Sequence, residues 1–244
     1  MQAHDACHGK VPAVPSLSFP SGQTVGTLEW LESESAAAPV LATGVVTVPD
    51  NAEITLDVML IESVRRIDGA SRAYRSTLSI QHGANGPVEY VAEDSESWEI
   101  TGSGEPADLG FLRRLPADSI TSLHLRAPIV PQSFNSVMHL ARGLRSLYLA
   151  CTDLTDDALA AIGTLHSLVY LQSWGNRFTD RGVQQLASLT RLESLYLEEE
   201  TLSAAAFDFA TTLPHLARLG LQDVPVSDVE LAVLRSRLPG VDVR

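Results

Sequence analysis

From residue 120 onward, apolar positions recur with a period of 24 residues. Ile120, Leu144, Leu168, Leu192 and Leu216 each open a six-residue phrase: ITSLHL, LRSLYL, LVYLQS, LESLYL and LARLGL. The fourth position is always Leu (Leu123, Leu147, Leu171, Leu195, Leu219). The sixth is Leu in four copies and Ser in one, Ser173. Alternating apolar and polar residues predict a short half-buried strand in each copy. A fixed period of this length predicts stacked units, none able to bury its apolar side alone.

The second half of each unit is patterned too. Its eleventh position is Val130, Leu154, Phe178, Leu202 or Val226. Thr155, Thr179, Ser203 and Ser227 then stand where a helix N-cap belongs, so that each hydroxyl can accept an orphaned backbone N–H. Leu159, Val183, Phe207 and Leu231 form one inward ladder of the predicted helices. Ile162, Leu186, Ala210 and Leu234 form a second. The first copy is degenerate, with Pro131-Gln132-Ser133 in place of a clear cap.

The L-x-x-L-x-L phrase in this register resembles the leucine-rich repeat family over residues 116–244. The helical second half is similar to its bacterial cysteine-containing and ribonuclease-inhibitor-like branches. The resemblance implies an α/β solenoid with a parallel sheet on the concave face and helices on the convex face. It also implies that position nine carries Asn, Cys or Thr bonded to backbone between turns. That position reads Pro128, Thr152, Asn176, Glu200 and Val224, so only Thr152 and Asn176 fit. Ser173 requires a partner, expected to be backbone or a trapped water, because a buried unpaired hydroxyl costs about 1–3 kcal/mol.

Before the repeats the pattern changes. Residues 1–23 read as a loose leader and residues 24–106 as a β-rich unit, followed by the repeat domain at 107–244. TVGTLEWL, VLATGVVTV and EITLDVML alternate as strands, with a turn at Pro49-Asp50-Asn51. STLSIQ and VEYVA continue an antiparallel unit expected to cap the first repeat, since a solenoid end otherwise exposes core. ADLGFLRRL (107–115) looks like the tail of a repeat whose strand is 98–100. Arg65, Arg66, Arg72 and Arg75 form a basic cluster, read as an exposed loop or short helix.

Positions three, five and seven of each strand point away from the core. They gather His124, Arg126, Tyr148, Tyr170, Gln172, Trp174, Tyr196 and Glu198 on one face. Exposed aromatics within a polar surround have the composition of protein-binding hot spots. Arg126 and Arg177 on one flank and Glu198, Glu199 and Glu200 on the other give this face opposite charges at its edges. The expectation is a non-enzymatic protein-binding module: adaptor, inhibitor or recognition subunit, the last also within a larger enzyme complex. The alternative is a self-associating solenoid, dimeric through a final strand at Val241-Asp242-Val243 whose edge stands uncovered.

Composition narrows the partners. A net charge of -13 disfavours nucleic acid and anionic membrane. Sixteen Arg against the single Lys10, with abundant Ala, resembles the coding bias of a GC-rich bacterial genome. Neither a signal pattern nor an apolar run of membrane length occurs, so a cytoplasmic setting is expected. Cys7 and Cys151 give no disulfide framework, and His4, Cys7 and His8 lack the paired spacing of a metal site. No cofactor or phosphate-loop motif occurs. Cys151 would need a His in reach to act as a nucleophile, and His124 lies about 10 Å along the strand direction. Cys151 is read instead as a small, partly buried residue.

Overall fold

A computed structural model describes residues 16–21, 25–32, 35–36, 40–48, 52–58, 106–198 and 200–244. The chain divides into two units, Met1–Leu60 with Pro106–Arg244, and Ile61–Glu105. Every described residue belongs to the first. The expected leader segment 1–15, the turn at 49–51, the strands STLSIQ and VEYVA, the strand 98–100, the four-arginine cluster and Glu199 lie outside the described residues.

Each six-residue phrase forms a strand: β7 (Ser122–Leu125), β8 (Ser146–Ala150), β9 (Tyr170–Trp174), β10 (Ser194–Glu198) and β11 (Arg218–Gly220). A final strand, β12 (Asp242–Val243), pairs parallel with β11. From β7 to β11 neighbours are parallel and in register at 24 residues, for example Leu147 with Leu171 and Leu195 with Leu219. The position-four leucines therefore stack into one column, each at most 1% exposed. Truncating one of these to Ala carries the usual core cost of about 2–5 kcal/mol.

The N-terminal strands are β1 (Ser16–Ser18), β2 (Thr27–Glu32), β3 (Ser35–Ala36), β4 (Val40–Leu41), β5 (Val45–Thr47) and β6 (Ile54–Val58). Of these, β2, β3, β4 and β6 join this sheet, and β1 and β5 pair with each other in a separate two-stranded sheet. β2 is antiparallel to β6, β3 and β4. β6 is parallel to β7, with Leu56 opposite Leu123 and Val58 opposite Leu125. The strand slot before the first repeat is thus filled by Ile54–Val58. Its Leu56 and Val58 supply the inward residues of a repeat strand. The expected leader also needs correcting. Ser16–Ser18 pairs with β5, and Leu17 and Phe19 are buried. The run VLATGVVTV is two strands, broken where Gly44 takes φ +60°.

On the other side of the core lie α1 (Asp156–Ile162), α2 (Asp180–Val183) and α3 (Asp228–Arg237). The remaining segments, Leu109–Arg114, Pro131–Leu140, Gln184–Ser188 and Ala204–Thr212, are 3-10 turns where α-helix was expected in the later copies. The 3-10 form rises more per residue, so fewer residues span the same unit.

The cap residues work differently from the expected pattern. Thr179 and Ser227 accept a backbone N–H from their own helices, whereas Thr155 and Ser203 accept none. Instead the caps are tied backwards. Thr179 N and Oγ1 donate to Asp156 at 2.9 and 2.6 Å. Ser203 N and Oγ donate to Asp180 at 2.9 and 2.6 Å, one repeat later. The next carboxylate would stand at position 204, which is Ala. There Ser227 N and Oγ donate to Glu230 of their own helix, at 2.9 and 2.6 Å, and these bonds hold the Glu230 carboxyl below its usual range. Asp180→Ala removes both acceptors from Ser203 and is expected to cost about 1–2 kcal/mol. Asp157→Ala, an exposed carboxylate of α1, is expected to cost under about 0.5 kcal/mol. Urea titration of both variants checks the contrast.

Candidate functional site

The candidate site is the strand face opposite the helical segments. Because paired residues share a side of the sheet, the register brings the expected residues together in rows. His124, Tyr148, Gln172, Tyr196 and Gly220 form one row, and Ala150, Trp174 and Glu198 another. Tyr170 meets Tyr196 with ring centroids 5.6 Å apart, and His124 meets Tyr148 edge-on at 5.7 Å. The Tyr196 ring lies where a side chain at Gly220 would stand, within 2.2 Å of the place of a Cβ. Gly220 is thus required for that ring position. The Tyr170 hydroxyl donates to Gln172 Oε1, and Gln172 Nε2 donates to Glu198 Oε2 at 2.9 Å.

Exposure on this face is uneven, which corrects the expected open aromatic cluster. Trp174 is 37% exposed, but Tyr148 is only 5% and Gln172 only 6% exposed. Tyr170, Tyr196, His124 and Glu198 are half-buried. Tyr148 is met by His124 at its edge and by the Arg126 guanidinium 5.9 Å over its ring. Its removal costs stability as a core aromatic does, about 3 kcal/mol.

The expected charged flanks are corrected as well. Arg126 is held by Asp57 of β6 at 2.7 Å, with both side chains largely buried. Arg177 pairs with Asp153 at 3.0 Å on an exposed lip. Glu200 is 1% exposed and belongs to the interior. Its Oε1 accepts the Ser173 hydroxyl at 2.8 Å and Asn176 N at 3.2 Å. Ser173 therefore finds a carboxylate instead of the expected backbone or water. Asn176 Oδ1 accepts Thr152 N at 3.0 Å and also accepts the Thr152 hydroxyl. The turn ladder runs Thr152–Asn176–Glu200, one step further than the family pattern implied. Burial raises the Glu200 carboxyl above its ordinary range, against the bonds from Ser173 and the backbone of Asn176 and Phe178.

Cys151 is exposed, not partly buried. It shares a position with Gly175 and Asp223, and all three take positive φ, 49°, 63° and 58°. The turn after each of these strands uses the left-handed region, and Gly175 occupies it at least cost. Among the described residues no group of three His, Cys, Asp or Glu gathers around a common point. No helix of these residues is long and apolar enough to cross a membrane. An open hollow of about 610 Å³ at Thr179, Asp180, Arg181 and Pro225 lies away from the strand face. Both Asp180 oxygens there are already engaged by Ser203.

No family model matches the sequence, and no curated protein matches it. Solved structures do. An internalin C2 of Listeria monocytogenes is 24% identical, covering 56% of this chain and 65% of its own, with a TM-score of 0.41. A second internalin from that organism is 20% identical over 56% of this chain and 43% of its own, with a TM-score of 0.40. A leucine-rich repeat protein of Leptospira interrogans is 17% identical over 55% and 38%, with a TM-score of 0.39. The chain thus covers less than two thirds of the length of each. Likeness of this degree carries no argument by itself. That the chain forms an α/β solenoid of stacked 24-residue units rests on its own register and leucine columns.

The Asp57–Arg126 pair gives the site a pH dependence. Burial pushes the Asp57 carboxyl up from 3.8 to about 6, with Arg126 opposing and Glu29 adding to the rise. A buried pair can lose more by desolvation than it regains by attraction. Because the folded-state value is the higher one, this group's stabilising contribution is complete below about pH 4 and is lost as pH rises through about 6. The stability advantage of the wild type over Asp57→Asn is expected to shrink by on the order of 2 kcal/mol from pH 4 to pH 7. Denaturant titrations of both proteins across that range measure it. An advantage that grows with pH would mean that Arg126 dominates.

Proposed function

We propose that the strand face of β8–β11 binds a protein, and that the chain acts as an adaptor, inhibitor or recognition module without chemistry of its own. The observation that carries this reading is Trp174, a large aromatic 37% exposed on the same side of the sheet as the Tyr170–Tyr196 ring pair. A water-facing indole on a rigid sheet is the kind of anchor that dominates protein interfaces. The net charge of -13 supports a protein partner over nucleic acid. Recognition within a larger enzyme complex would use the same face. The N-terminal strands serve in this reading as the cover of the first repeat. The cysteine-containing or ribonuclease-inhibitor-like repeat type is supported by the helical turns α1, α2 and α3.

Self-association through β12 is the second reading, favoured by Val229 and Val233 of α3, which are 74% and 52% exposed. Glu230 argues against stacking there. Its counterparts Ala158, Gly182 and Ala206 are small and buried between repeats, whereas a carboxylate at that position keeps the end face wet. Photo-crosslinking separates the two readings. With p-benzoylphenylalanine replacing Tyr196, a discrete adduct with a second protein is expected. With the same group at Ala160, exposed on the helical side, none is expected. Adducts only at Ala160, or only with another copy of the chain, would contradict the strand-face reading.

A further inference from the structure

We propose that the margin of the sheet where its strands begin receives an acidic segment, rich in Asp or Glu, of the protein partner. As a site for that same partner it deepens the strand-face reading and rests on it. Arg142, Arg145, Arg191 and Arg218 line this margin. Arg145 directly precedes β8 and Arg218 opens β11, while Arg142 and Arg191 stand in the turns before β8 and β10. In the parallel register each strand start lies about 4.8 Å from the next, so the row from β8 to β11 spans about 14 Å. An extended segment of about four or five residues covers that distance. The margin is continuous with the strand face, because Tyr170, Ser194 and Arg218 share one register row.

The charge of this margin favours an anion. Arg142, Arg191 and Arg218 are exposed and Arg145 is half-buried, and among the described residues none of the four forms an ion pair. Two of them are oriented by neutral groups. Arg145 Nη1 donates forward to Ser167 O at 3.4 Å, and Arg218 Nη1 donates back to Ser194 Oγ at 3.2 Å. Both guanidinium groups therefore lean toward the middle of the row, and each keeps further N–H donors for a carboxylate. Asp118 and Glu193 are the carboxylates left on this margin, since Asp242 is held by Arg244 at 2.7 Å. Cations thus outnumber anions here, whereas the opposite margin sets Asp153, Asp156, Asp157 and Asp180 against Arg177 and Arg181. Charges that offset helix dipoles account for Arg113 and Arg114, in the last turn of Leu109–Arg114. Arg145 and Arg218 stand at strand starts, where no such dipole reaches. The net charge of -13 does not forbid an acidic guest. The two margins are about 15 Å apart along the strands, beyond the Debye length of about 8 Å at physiological salt.

The test uses the whole chain and a fluorescein-labelled, amidated penta-glutamate peptide, followed by fluorescence anisotropy. Saturable binding is expected at about 50 mM salt, weakened about tenfold at about 500 mM. Arg191→Gln combined with Arg218→Gln is expected to weaken it about tenfold at the lower salt. Arg177→Gln combined with Arg181→Gln removes the same charge from the opposite margin and is expected to change binding less than about twofold. All four side chains are exposed, so neither pair of substitutions endangers the fold. Absence of saturable binding, equal weakening by the two pairs, or equal binding of penta-lysine would overturn the proposal. Tighter binding of an oligothymidine of the same charge would also overturn it and assign the margin to nucleic acid. The crosslink from residue 196 distinguishes the levels. If it forms while penta-glutamate binds wild type no better than Arg191→Gln with Arg218→Gln, the strand face stands and the acidic-segment site falls. If no crosslink forms in the wild type but penta-glutamate still separates the two pairs, the strand-face reading falls and the margin stands as a site by itself.

Discussion

The parallel register at 24 residues is the constraint on which the rest of the repeat region depends. Once Leu147 faces Leu171 and Leu171 faces Leu195, every other position is also stacked on its counterpart. Buried apolar positions become leucine columns, and buried polar positions must find partners one repeat away. Thr152, Asn176 and Glu200 do so in the turns after the strands. At the more exposed helix starts, Asp156 with Thr179 and Asp180 with Ser203 add bonds in the same register. A buried donor left unpaired costs more than a typical bond contributes, so the turn ladder of Thr152, Asn176 and Glu200 restricts the register alongside the leucines.

Where a ladder loses a member, a second residue compensates. Ala204 cannot receive the cap of the following helix, and Glu230 receives it within α3. Ser173 breaks the position-six column, and Glu200 takes up its hydroxyl. The two departures from pattern, Ser173 and Glu200, are therefore one substitution made in two places. A leucine at 173 would leave the Glu200 carboxylate with one donor fewer in a nearly water-free site, where an ion is costly.

The strands and their columns were legible because Leu, Ile and Phe recur at fixed spacing, and burial of those positions follows from alternation alone. The compensations were not legible, since each depends on a pair separated by a repeat or placed within one helix. The role of Ile54–Val58 was hidden for a related reason. ITLDV has the alternation of a repeat strand but stands far outside the 24-residue count, and only its pairing with Ser122–Leu125 reveals it. Alternation assigns residues to a side of the sheet but does not set their exposure. Alternation places Tyr148 and Gln172 on the outer side without telling that His124, Arg126, Tyr170 and Glu198 engage them. What remains water-facing is the narrower region around Trp174.

Site-resolved amide hydrogen exchange of the intact chain tests this account most directly. The N–H groups of Thr152 and Asn176 sit in turns, yet both donate to side chains of the next repeat. If the ladder fixes the register, they exchange as slowly as the strand amides of β8 and β9, and lose that protection together when Glu200 is replaced by Ala. Exchange of both amides at open-chain rates in the wild type, with the strands still protected, would show that the ladder does not hold the sheet.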